Sequence, residues 1–198
     1  MKLYILCFLF IFTGCMTKSP PRKIIKSRPS IIVTKKLGGN FTLKTVLNNE
    51  ILDWQLFSSN GKIRILYFGF TYCPDICPTS LTKLANVLSK YSKDDQEKIR
   101  PVFISVDYKR DDAKKVKEYV EYFSPRNVGL AGSEEQIKKI TNQYGIYFKM
   151  IEQKDSAIKY TIDHTSRYIL IARDGSFYNS YSQLDQIFTK DLSTLLKN

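Results

Sequence analysis

Between residues 63 and 84 the chain reads IRILYFGFTYCPDICPTSLTKL, and this stretch limits what the remainder can become. Residues 63–70 are apolar, β-branched and aromatic, the composition of a strand buried on both faces. The run breaks at Thr71-Tyr72, and Cys73, Pro74, Asp75, Ile76, Cys77 and Pro78 follow. Leu81, Leu84, Ala85 and Leu88 then recur at helical spacing, so a helix is predicted from Pro78 to about Tyr91. Two thiols therefore stand where a strand ends and a helix begins. Unpaired N–H groups and the helix dipole favour anions there, which makes thiolates easier to form than in water. The four-residue step also sets both sulfurs near one face of the first turn. Such a pair can bond to itself or hold a soft metal.

Net charge is +12, which invites a nucleic-acid or anionic-surface reading. Its distribution argues against nucleic acid. Seven basic residues and no acid fall within 16–37, while 38–198 are only mildly basic and carry no recognised nucleic-acid module. Ahead of this basic stretch, Lys2 is followed by an apolar run over 3–12 and by Thr13-Gly14-Cys15. The run is shorter than the ~18 residues that span a bilayer and has the length of a signal-peptide core. Small residues before Cys15 resemble the lipobox of bacterial lipoproteins, whose cysteine is acylated after cleavage, although Phe12 stands where leucine is usual. An uncleaved N-terminal anchor is the alternative.

On either reading, 1–15 is a signal peptide or lipoprotein anchor and 16–37 a basic tether broken by Pro20, Pro21 and Pro29. Residues 38–198 are then an exported, membrane-tethered domain facing the periplasm. With Cys7 in the signal and Cys15 at the anchor, Cys73 and Cys77 are the thiols left to the domain. An oxidising compartment favours a structural disulfide, but a bridge across so small a loop stabilises little, so reactive thiols are the stronger reading.

Along the domain, turn signals at Asn48-Asn49 and at 59–61 frame an N-terminal hairpin, with Trp54 expected in the core. Residues 93–98 read as a polar turn. A second buried strand is predicted at 100–107 and a helix from Asp111-Asp112 to about Phe123, stopped by Ser124-Pro125. Ser133-Glu134-Glu135-Gln136 has the form of a capping box and opens a helix to about Tyr144, ended by Gly145. Residues 147–151 and 157–162 are expected to pair about Lys154-Asp155, and 168–172 with 176–181 about Asp174-Gly175. A closing helix is read over 182–196. Strand–helix–strand order implies a parallel core with helices on both faces.

His164 is the only histidine, and a lone histidine is usually structural. This one lies just ahead of the apolar run at 168–171, in a connection at the end of a strand. Sites in α/β sheets form at such ends, near the strand–helix turn that holds the thiols. Two thiolates and one imidazole suit copper in both oxidation states, sulfur favouring Cu(I) and nitrogen retaining Cu(II). The same set with a water suits zinc. Asp163 is a candidate outer-shell partner for the imidazole, or could equally cap a loop; Asp107, ending a strand on the same edge, is another, with an N-cap or surface role as its alternative.

In order and spacing, TYCPDICPTSL, SVDYKRDD, GLAGSEEQ and YTIDHTSRYILIARDG resemble the Sco/SenC family. The resemblance covers roughly residues 38–195, and CPDICP joined to a downstream Asp-His is its specific part. It implies a thioredoxin-like α/β fold with a central mixed sheet, an N-terminal hairpin and an inserted hairpin carrying the histidine. It implies copper, Cu(I) or Cu(II), bound by Cys73, Cys77 and His164. The function implied is a metallochaperone for cytochrome c oxidase assembly, delivering copper to the dicopper site or reducing its thiols. The partners implied are the copper-bearing oxidase subunit, the membrane through its lipid anchor, and other copper chaperones or thiol reductants. One departure is Tyr-Lys-Arg-Asp-Asp after Asp107, where the family often places a proline after the acids.

The alternative is a membrane-tethered periplasmic thiol–disulfide oxidoreductase using Cys73 and Cys77 as a redox disulfide. Against it as sole function stands the Cys-x-x-x-Cys spacing, one residue longer than the redox-active Cys-x-x-Cys. Thioredoxin-like enzymes also keep a cis-proline before a late strand, and no proline follows Pro125 here. Asp163-His164-Thr165-Ser166 occupies that place. A peroxidase would need a peroxidatic motif that the chain lacks.

Overall fold

The apolar run that opens the cysteine segment becomes β3 (Ile63–Gly69), buried along its whole length at the middle of a five-stranded sheet. The structure is a computed structural model that describes residues 37–58, 61–154 and 156–197. The expected signal peptide, Cys15 and nearly all of the tether lie outside the described residues. Before β3 comes a separate hairpin, β1 (Thr42–Leu47) with β2 (Glu50–Gln55). Asn48 and Asn49 join its strands at φ 51° and 65°, the left-handed pair that a two-residue hairpin turn demands and asparagine tolerates.

After β3 the order is α1 (Ile76–Leu88), α2 (Lys93–Glu97), β4 (Ile99–Ser105), α3 (Ala113–Glu121), β5 (Val128–Leu130) and α4 (Glu134–Tyr144). A second hairpin, β6 (Phe148–Glu152) and β7 (Tyr160–His164), is followed by β8 (Tyr168–Ile171), β9 (Phe177–Tyr181) and α5 (Gln186–Lys197). The central sheet runs β5-β4-β3-β8-β9. Its first three strands are parallel, whereas β8 runs against them and β9 runs against β8, the last two joined by a turn with Gly175 at φ 87° that suits only antiparallel neighbours. The sheet is therefore mixed, and its parallel part is one side of it.

One apolar cluster holds the layers together. Tyr67 on β3 lies against Phe103 and Tyr168 at ring distances of 6.3 and 5.2 Å. Leu81, Leu84 and Leu88 of α1 and Phe188, Leu192 and Leu195 of α5 join the same cluster. Each such side chain contributes roughly 1.5–3 kcal/mol by leaving water. The capping box forms as read: Gln136 N–H donates to Ser133 Oγ, Ser133 N–H donates to Gln136 Oε1 at 2.9 Å, and Gly145 closes α4 at φ 66°.

Four expectations shift. Helix α1 begins at Ile76, two residues before the proline, so Cys77 is inside it. Residues 93–97 form a short helix rather than a turn, because Ser92 accepts from Asp95 N–H and caps it. β5 was not anticipated; three residues are too few to leave a pattern, and Gly129 is needed because a Cβ there would sit 2.8 Å from the Val116 backbone. The β6–β7 loop is wider than expected and closes through Lys159 at φ 59°, which moves the second strand from 157–162 to Tyr160–His164. Trp54 is half-buried, tilted against Phe41 at 5.9 Å.

Candidate metal centre

The cysteine side is built by the core. Past β3 the chain turns through Phe70, whose carbonyl accepts from Cys73 N–H at 3.2 Å. Thr71 fixes this turn, its N–H and hydroxyl donating to the two oxygens of Asp111 at 2.9 and 2.6 Å. At the start of α1 the N-cap residue, Asp75, forms no side-chain cap. Cys73 Sγ supplies an acceptor instead, taking Cys77 N–H at 3.4 Å. Cys77 is fully buried beneath Gly69, where a Cβ would come 2.6 Å from its sulfur and 2.8 Å from the Phe103 ring. Glycine ends β3 because the thiol needs that space.

These contacts divide the pair electrically. The Cys77 thiol, then the N–H groups of Cys77 and Asp75, donate to Cys73, outweigh its burial, and lower its pKa to about 4. Cys77 moves the other way, raised by that same hydrogen bond and by burial. In the reduced pair, Cys73 is the thiolate and Cys77 keeps the proton.

The histidine side is built by the second hairpin. His164 is the last residue of β7, paired across to Phe148, so it sits on an inserted hairpin, as the resemblance implied, and not in the connecting segment that its place ahead of 168–171 suggested. Its Nε2 lies 3.6 Å from Cys77 Sγ, and its ring stands edge-on to Phe70 at 5.8 Å. Nδ1 is 3.2 Å from the Thr165 carbonyl. A carbonyl only accepts, so the proton on Nδ1 makes this a hydrogen bond and leaves the Nε2 lone pair toward the sulfurs. The ligand atoms of Cys73, Cys77 and His164 all lie within 4.8 Å of one another. A shallow cleft of about 390 Å³, lined by Phe70, Pro74, Ile76, Ile162 and Ser166 among others, opens over Cys73 and His164.

The two candidate outer-shell acids fall elsewhere. Alternation along β7 turns Asp163 to the opposite side from His164, where it is exposed, and the Thr165 carbonyl takes the orienting role. Asp107 is fully buried, but its carboxylate is taken up by Arg110 and by the Tyr160 hydroxyl at 2.6 Å. It supports the histidine hairpin rather than the imidazole. Sequence reasoning missed Asp111, Arg110 and Tyr160. The doublet Asp111-Asp112 held a signal, since only one acid can cap a helix. Asp112 caps α3 through Lys115 N–H at 2.9 Å, and Asp111 is left to bind Thr71 and the Ser105 hydroxyl.

Sheet order, paired thiols at the β3–α1 turn and an imidazole delivered by an inserted hairpin define a thioredoxin-like domain with a soft-metal donor set. A model of the SCO1/SenC family matches residues 31–195. An SCO2-like protein of Rickettsia prowazekii is 35% identical over 207 residues, spanning 100% of this chain and 96% of its own. Among solved structures, Bradyrhizobium japonicum ScoI with copper bound superposes at TM-score 0.68 and 35% identity, covering 81% of this chain and 98% of that one. Yeast Sco1 with copper bound does so at 0.69 and 30%, covering 82% and 88%. The chain belongs to the SCO1/SenC family.

Proposed function

We propose that this protein takes one copper ion between Cys73, Cys77 and His164 and passes it to the dicopper site of cytochrome c oxidase during assembly. One observation carries the reading: two sulfurs and an imidazole nitrogen converge within 4.8 Å. Two thiolates satisfy Cu(I), and the nitrogen retains Cu(II). Copper bound to two relatives supports the cargo, and the oxidase as acceptor follows from the family resemblance. Cys73, already a thiolate, is the first ligand to engage; Cys77 then releases its proton to solvent, and His164 completes the set. Delivery proceeds by ligand exchange, with His164 leaving first because its hairpin stands outside the central sheet. Oxidation of the pair by an acceptor disulfide, which takes two electrons and the single Cys77 proton and is left as a thiol and a thiolate, joins Cys73 to Cys77 and removes the soft ligands.

Titration of the reduced full-length chain beside His164→Ala tests this. One copper per chain is expected, with Cu(II) weakened about a hundredfold by the substitution and Cu(I) less than about tenfold. Equal affinities in both proteins would end the copper reading. A thiol–disulfide reductase is favoured by the low pKa of Cys73, about 4; it predicts turnover of acceptor disulfides that His164→Ala leaves untouched. We also place the domain in the periplasm on a membrane tether, from the apolar run and basic stretch before residue 38. Lipid attachment at Cys15 predicts that Cys15→Ser shifts the protein from the membrane to the soluble fraction.

A further inference from the structure

Arg110 lies between β4 and α3, remote in sequence from both halves of the cluster, yet it touches a neighbour of each. Its guanidinium carbon stands 4.8 Å from the centre of the Tyr72 ring and 3.6 Å from that of Tyr160. Tyr72 precedes Cys73, and Tyr160 begins the strand that ends in His164. Nη1 donates to the carbonyls of Ile158 at 3.0 Å and Tyr160 at 2.9 Å. Nε pairs with the Asp107 carboxylate, whose other oxygen accepts from the Tyr160 hydroxyl at 2.6 Å. The side chains of Asp107 and Arg110 are 0% and 17% exposed, so these charge-assisted bonds are largely shielded from water.

The hairpin needs such an anchor. β6 and β7 form a sheet of their own, without ladder hydrogen bonds to the central five strands, and an isolated two-stranded hairpin is marginally stable at best. Tyr160, Ile162 and His164 share one face of β7 because side chains alternate along a strand. Ile162 is buried, and fixing Tyr160 sets the register and tilt with which His164 arrives.

We infer that Arg110 is a positioning residue: stacked on Tyr72 and Tyr160, it holds the cysteine turn and the histidine hairpin at the separation that lets His164 reach the sulfurs. Its consequence for copper rests on the function proposed above. Lysine cannot replace it, since only the planar guanidinium stacks and donates in several directions at once.

The test is Arg110→Lys in the reduced, metal-free, full-length chain. Amide hydrogen exchange along β7 is expected to quicken about tenfold while β3 and β4 stay unchanged. Unchanged exchange in β7, or equal quickening in all three strands, would overturn the clamp. With copper, the same substitution is expected to weaken Cu(II) binding about tenfold in the parent chain and less than about twofold when His164→Ala is already present. Equal losses in both backgrounds would mean that Arg110 does not act through His164, and would overturn the proposal. If His164→Ala alone leaves copper binding intact, the copper reading falls, while hydrogen exchange still decides the clamp.

Discussion

Cys77 and His164 approach to 3.6 Å, yet they belong to differently built parts of the molecule. Cys77 is sealed in the first turn of α1, against the central strand of the main sheet and the Phe103 ring. His164 is partly exposed at the end of a hairpin that pairs only with itself, tied down by side chains from the β4–α3 loop. Core strands open only with the whole fold, whereas peripheral hairpins open at lower cost. For the delivery proposed above, in which the site holds a metal ion and then surrenders it, that division is an advantage. On that proposal the thiols stay preorganised and the imidazole is the ligand that comes and goes.

The largest effect expected from this contrast is in thiol chemistry. At pH 6, alkylation of the reduced, metal-free chain should favour Cys73 over Cys77 by about a hundredfold or more, since one is a thiolate and the other a buried thiol. Because the thiolate reacts and the thiol does not, Cys73 labelling should fade only as pH drops through about 4. Peptide mapping after timed labelling reads both, and equal labelling would erase the asymmetry of the pair. Next comes Gly69→Ala, which strikes the rigid half alone. Its Cβ would crowd Cys77 Sγ at 2.6 Å and Phe103 at 2.8 Å, so a loss of about 1–3 kcal/mol is expected in chemical denaturation. An unchanged midpoint would show that the thiol half yields as readily as the hairpin. The smallest effect belongs to Asp163→Asn. With its carboxylate facing away from the imidazole, copper affinity should change less than about twofold; a tenfold loss would restore Asp163 as the orienting group.

Much of this was legible in the chain because it depends on neighbours in sequence. The thiols at a strand–helix junction, the Asn48-Asn49 and Asp174-Gly175 turns and the Ser133–Gln136 capping box each follow from a few adjacent residues. Errors arose where a partner lay far away. β5 exists because β4 and α3 cover it, not because Val128-Gly129-Leu130 has a strand pattern. His164 was expected in a connection because the width of the β6–β7 loop is set by how that hairpin docks, which also decides that Tyr160 and His164 share a face.

From its own order of residues, then, this protein specifies which groups are available for chemistry: two thiols at a helix start and one imidazole, with the polarity of each local turn. Tertiary structure alone decided that those groups meet, that Cys73 and not Cys77 carries the charge, and that Asp107, Arg110 and Asp111 serve as braces. The reason is physical. Backbone preferences act over a few residues, whereas desolvation, cross-chain hydrogen bonds and ring stacking exist only once distant segments have packed together.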